Sequence, residues 1–73
     1  MDAKKTGAYL ADLRRARGMT QQEAADQLGV SNKTVSKWEN GAGLPDITVL
    51  PALAELYGVT ADDILAGETL RGR

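Results

Sequence analysis

Asn32, Lys33, Ser36 and Lys37 recur at a spacing that gathers hydrogen-bonding side chains on one side of a helix. Taking Asn32 as the origin and about 100° per residue, Ser36 falls at ~40°, Lys33 at ~100° and Lys37 at ~140°, whereas Val35 and Trp38 fall at ~300° and ~240°. One arc is polar and the opposite one is apolar. The chemistry open to the polar arc is recognition of base edges and phosphates: Asn pairs with adenine at two points, Lys reaches guanine acceptors or phosphate, and Ser serves either. A helix from Asn32 to Glu39 is roughly 12 Å long at ~1.5 Å per residue, which suits a major groove about 12 Å wide.

The elements that must position this arc are legible on both sides of it. Thr20 with Glu23 three residues later forms a capping box, in which side chain and backbone satisfy each other's free groups. Ala24, Ala25 and Leu28 follow at helical spacing, and Gly29 ends that helix where positive φ is wanted. Val30 is an apolar turn residue, Ser31 is the natural N-cap of the next helix, and Asn40-Gly41 ends it. So short a turn makes the two helices cross steeply, and their close approach favours a small side chain, supplied by Ala25. This layout is a helix-turn-helix with its second helix shaped for the major groove.

The segment TQQEAADQLGVSNKTVSKWENG, with LADLRRARGMTQ before it and GLPDITVLPALAELYGV and TADDILAG after it, resembles the phage repressor and Cro-type helix-turn-helix family, also called the XRE family, over residues 7–67. The resemblance implies an all-α, compact five-helix bundle of the lambda repressor-like DNA-binding type. It implies base reading by Asn32, Lys33 and Lys37, a phosphate-contacting and network-forming role for Gln21, and a phosphate contact by Asn40. It also implies a salt bridge between Arg14 and Glu39. Thr6 and Ala24 stand where the family usually has larger apolar residues, and Tyr57 where it usually has Leu; these departures touch packing more than function.

Composition constrains the rest. Seventy-three residues make one small domain with no cysteine to staple it, so stability must come from Leu10, Leu13, Leu28, Val35, Leu44, Ile47, Leu50, Leu53, Val59, Ile64 and Leu65, with Trp38 the largest contributor. A stacking role for Trp38 is outweighed by its place beside Val35 on the apolar arc. The net charge of −1 argues against DNA binding, but it is unevenly spread. Residues 1–40 hold seven Lys and Arg against five Asp and Glu, and residues 41–73 hold two against five. Positive potential therefore accompanies the polar arc, which would help orient the domain on a duplex.

Residues 1–5 read as a flexible basic arm, in which Lys4 and Lys5 either reach phosphate or stay loose, and Thr6 reads as the cap of a helix running to Arg17. Three roles stay open for Arg14: phosphate contact, pairing with Glu39, or exposure to solvent. Ser31 is both an N-cap and a candidate phosphate contact, and Asn40 is first a helix end. Lys33 and Lys37 could be a solvated pair, though the motif favours contact. Ala42 to Asp46 is a loop, and Pro51 places the start of a fourth helix near Thr48 or Val49. Thr60 caps a short helix over 61–66 with Asp62 and Asp63 in its first turn. Residues 6–67 form the domain and 68–73 a flexible tail.

Catalysis is excluded on inventory: there is no His or Cys, and Asp62 and Asp63 diverge by about 100° on a helix. No cofactor, metal or small-molecule ligand is expected. No apolar run approaches membrane-spanning length and no signal-peptide pattern follows Met1, so the chain is expected to be cytoplasmic and to have no membrane partner. The rival to double-stranded DNA as partner is a protein-interaction, antitoxin or adaptor module on the same fold. An interaction surface would present apolar anchors on the arc, where this chain has Asn and Lys. Two domains about a two-fold axis would read half-sites ~34 Å apart. Both a free monomer and a homodimer on DNA fit the sequence.

Overall fold

The computed structural model describes residues 2–70, which form five helices and no strand. These are α1 (Ala3–Ala16), α2 (Gln21–Leu28), α3 (Asn32–Glu39), α4 (Leu50–Tyr57) and α5 (Ala61–Ala66). The bundle is built on α1, which packs against α3 and α5; α2 lies across α3, and α4 closes the far side against α5 and α2. Buried Leu10, Ala25, Val35, Trp38, Leu50, Leu53, Tyr57 and Ile64 form the core. Trp38 is 7 % exposed, so its indole is a packing group.

Local chemistry accounts for the helix limits. Thr20 and Glu23 close the expected capping box, with the Thr20 Oγ1 accepting from the Glu23 N–H at 3.0 Å and the Glu23 carboxylate from the Thr20 N–H at 2.9 Å. Ser31 Oγ accepts from the Thr34 N–H at 3.2 Å, and Thr60 with Asp63 repeats the reciprocal pattern on α5. Gly29, at φ 72°, makes the left-handed exit from α2 that keeps the turn into α3 short. Because α4 has no side-chain cap, its entry is shaped upstream. Asp46 Oδ1 accepts from the Thr48 N–H and hydroxyl, and the regular helix begins at Leu50, one residue beyond the expected limit.

Three expectations need correction. The first helix starts at Ala3, because the Asp2 carboxylate captures the N–H groups of Lys4 and Lys5 at 3.0 and 3.1 Å. Residues 3–5 are thus helical, and Thr6 is not the cap. It is 1 % exposed and its hydroxyl donates to the Ile64 carbonyl at 3.0 Å, satisfying a polar group inside the α1–α5 contact. Residues 68–70 are tied down: Lys5 pairs with Glu68 at 3.1 Å, Tyr9 Oη bonds Thr69 Oγ1 at 2.9 Å, and the Leu70 N–H donates to Asp63 at 2.9 Å. Met1 and residues 71–73, the outer parts of the expected arm and tail, lie outside the described residues. Finally, Leu44, Ile47 and Leu65 are 42 %, 78 % and 40 % exposed. The first two stand in the turns before α4, and Leu65 is on the outward side of a six-residue helix.

Two contacts fix α3 against α1. Gly7 is buried against the end of α3, where an added Cβ would overlap the Trp38 carbonyl oxygen and press on Glu39. A side chain is excluded there by backbone, which cannot swing aside. Next to it, Glu39 (side chain 5 % exposed) accepts from Arg14 Nε at 2.7 Å and Nη2 at 2.9 Å, and from Gln21 Nε2 at 3.0 Å. Arg14 Nη1 donates to the Met19 carbonyl at 2.9 Å, tying in the α1–α2 turn. Burial pushes the Glu39 pKa up, but the hydrogen bonds from Arg14 and Gln21 and the charges of Arg14 and Arg15 outweigh it and leave it below the ordinary value. The hydrogen bond to Glu39 raises Arg14 in turn.

Gly7→Ala should therefore destabilise the domain by about 2 kcal/mol in denaturant titration, despite alanine's higher helix propensity, because the added methyl overpacks a backbone contact. Glu39→Gln should cost about 3 kcal/mol at neutral pH by leaving Arg14 without its counter-charge. Since the folded-state pKa of Glu39 lies below the unfolded one, its contribution is present above the ordinary glutamate value of 4.5 and is lost as pH falls through the folded value. The stability gap between wild type and Glu39→Gln should accordingly narrow in titrations taken below pH ~4.5.

Candidate nucleic-acid interface

With Val35 and Trp38 buried in the core, α3 can turn only its other side outward. Asn32, Lys33 and Lys37 are exposed there and Ser36 is half-buried, so the four expected base-reading residues lie on one face. Asn40 caps the helix at ~80° in the same angular frame, and its Nδ2 donates to Ser36 Oγ at 3.3 Å. Ser36 is thereby the most enclosed of the set, and Asn40 steadies it from the helix end.

The four expected phosphate contacts divide. Asn40 is exposed at the rim of the face. Gln21 is half-buried with its amide donating to Glu39, which realises the expected network role, while its backbone N–H stands at the first position of α2, ahead of any intrahelical acceptor. That end of α2 offers an N–H donor to an anion. Ser31 is exposed; its Oγ caps α3 and is hydrogen-bonded to Thr34 Oγ1 at 2.9 Å. Arg14 is not placed for phosphate: its side chain is 12 % exposed and three of its N–H groups are spent on Glu39 and Met19. Of the three roles open to it, pairing with Glu39 is the one realised.

The distribution of free charge is clearer than the total. Among the described residues, Lys5, Arg14 and Arg15 pair with Glu68, Glu39 and Asp12, at 3.1, 2.7 and 3.7 Å. Lys4, Lys33 and Lys37 have no such partner. Lys4 lies across the end of α3, where its Cγ would come within 2.9 Å of a Cβ added at Gly41. Arg17, also without an ion pair, sits apart from these three, against Gly58 at the end of α4.

Two residues of this face were not singled out in the sequence. Gln22 and Asp26, exposed on α2, form a hydrogen-bonded line to α3: Gln22 Nε2 donates to Asp26 Oδ1 at 2.8 Å, and Asn32 Nδ2 donates to Gln22 Oε1 at 3.3 Å. The four-residue spacing of Gln22 and Asp26 on one helix face was the available signal. The link from there to Asn32 depends on the crossing of α2 and α3, which spacing within one helix does not report.

A helix-turn-helix family model matches residues 10–64. The HTH-type transcriptional activator BcrR of Enterococcus faecalis is 41 % identical over 61 residues, covering 84 % of this chain and 30 % of BcrR. Among solved structures, the restriction-modification controller protein C.AhdI of Aeromonas hydrophila superposes with a TM-score of 0.79 at 25 % identity, over 86 % of this chain and 96 % of that one. The hydroxypropylphosphonic acid epoxidase of S. wedmorenis contains a similar bundle, with a TM-score of 0.76 at 28 % identity, over 86 % of this chain but only 34 % of the enzyme. The chain spans 30 % of the length of BcrR and no more than 56 % of three further curated regulators that it matches. No helix among the described residues is long and apolar enough to cross a membrane. The five-helix bundle, the two capped helices about a three-residue turn and the match over 10–64 together establish that the chain belongs to the helix-turn-helix family of the phage repressor and Cro type.

Proposed function

We propose that this chain is the sequence-specific double-stranded DNA-binding unit of a transcriptional regulator, with α3 in the major groove and one half-site read per domain. The observation that carries the reading is the two-sided character of α3. Its apolar side and its terminal Glu39 are held in the bundle, while Asn32, Lys33 and Lys37 are left exposed. Asn32, Lys33, Ser36 and Lys37 meet base edges. Gln21 at the head of α2, Ser31 and Asn40 flank them and serve phosphate, positioning α3 without specifying sequence. Arg14 acts behind them through Glu39. Residues 6–67, with the helical residues 3–5 and the tied residues 68–70, are the working unit. Two units on a two-fold site form the homodimeric complex on DNA, and the setting is the cytoplasm. The reading includes no catalysis and no cofactor.

In vitro selection from a random duplex pool should enrich a motif, and a folded protein that enriches none would overturn the reading in favour of a protein-interaction module. Lys33→Ala should cost about 1–3 kcal/mol on the selected site and relax one base preference. With Lys4, Lys33 and Lys37 as the free cations near α3, a single domain should show a log–log salt slope no steeper than about −3. A slope corresponding to ten phosphates would contradict so sparse a contact.

A further inference from the structure

The line Asp26–Gln22–Asn32 has a direction set by its first member. A carboxylate only accepts hydrogen bonds, so Gln22 must turn its NH2 toward Asp26, at 2.8 Å. Its carbonyl then faces α3, and Asn32 must meet it with Nδ2, at 3.3 Å. The shape of an amide does not distinguish its oxygen from its nitrogen; here the charge at Asp26 does. With one Nδ2–H given to Gln22, Asn32 retains its Oδ1 acceptor and a single N–H donor. In the major groove this acceptor–donor pair matches adenine, which offers an N6 donor beside the N7 acceptor. It does not match guanine, whose N7 and O6 both accept and so call for two donors.

We propose that Asp26, acting through Gln22, is a specificity-determining residue that fixes the amide of Asn32 in the orientation that reads adenine. The proposal rests on the DNA-binding reading above and adds to it a base and a mechanism. Asp26 touches no base. It is a positioning residue on the outer side of α2, and its influence passes through two side-chain hydrogen bonds into α3. All three side chains are exposed, so the line can be altered without disturbing the core.

The test compares wild type with Asp26→Glu, Asp26→Asn and Asp26→Lys by duplex selection and competition titration, with folding checked by thermal melting. The base read by Asn32 is identified as the position whose preference disappears in Asn32→Ala. There, wild type and Asp26→Glu should prefer adenine over guanine by at least about fivefold, the low end of what a two-point pair supplies. Asp26→Asn can offer either group to Gln22, so the amide is freed between two orientations and the preference should fall by about twofold or more. In Asp26→Lys the ammonium can only donate. Gln22 then turns its carbonyl to it and its NH2 to Asn32 Oδ1, leaving two Asn32 donors outward and shifting the preference toward guanine. Uniform gains in affinity from removing a negative charge do not enter the ratio. An adenine preference unchanged in Asp26→Asn and Asp26→Lys, or a wild-type motif with no adenine at that position, would overturn the proposal while leaving the DNA-binding reading intact. A wild-type protein that selects no motif at all fails at the earlier step.

Discussion

Glu39 is the constraint on which the arrangement of this domain turns. A carboxylate in the last turn of α3 sits against the negative end of the helix dipole, and there its side chain is 5 % exposed. Both circumstances oppose the charge, so it must be met by donors with good geometry. They come from two other helices: Arg14 of α1 with two N–H groups and Gln21 of α2 with one. Arg14 also holds the Met19 carbonyl in the turn between those helices. One buried acceptor therefore couples the orientation of α1, α2 and α3, and the pitch of the recognition helix cannot change without stranding a charge. Tyr57 packs nearby, its hydroxyl pKa pushed up by burial and then by Glu39, so the neutral phenol adds no competing charge.

Small residues provide the complementary constraint. Gly7 admits the backbone of α3 to van der Waals contact with α1, and Ala24 and Ala25, both fully buried, keep the packed side of α2 small. Because contact is made through backbone and methyl groups, the crossing geometry is set by hard surfaces rather than by flexible side chains. That rigidity suits a reading surface, whose side chains must be held close to a productive geometry if hydrogen bonds are to discriminate bases.

How far the sequence disclosed this can be judged residue by residue. The limits of α2, α3 and α5 were legible because Thr20 with Glu23, Ser31, and Thr60 with Asp63 state their caps locally, and the glycines after α2 and α5 state their ends. The two faces of α3 followed from helical periodicity alone. What failed was what depends on distant partners. Thr6 looks like a cap until α5 presents the Ile64 carbonyl to it, and Asp2 then proves to be the cap. Leu44 and Ile47 look like core until the loop carries them outward. Residues 68–70 read as a tail because their ties run to Lys5, Tyr9 and Asp63. The Gln22–Asn32 bond was invisible for the same reason, since it exists only once two helices have crossed.

The charge balance now has a different meaning from the bare count of nine Lys and Arg against ten Asp and Glu. Three of the described cations are consumed in ion pairs, one of which holds the fold together. Those left beside α3 are few, and Asp26 is joined through Gln22 to Asn32 on that helix. A domain shaped only for affinity would have no use for a carboxylate there, because each negative charge near the duplex opposes the phosphate attraction that dominates non-specific binding. A carboxylate that sets the direction of a hydrogen-bonded line has a use that an amide in its place cannot fill, since an obligate acceptor forces the amides beyond it into one order, whereas a group that both donates and accepts allows two. The weak electrostatics and the ordered amides thus belong together. Low non-specific attraction lets hydrogen-bond discrimination take a larger share of the total.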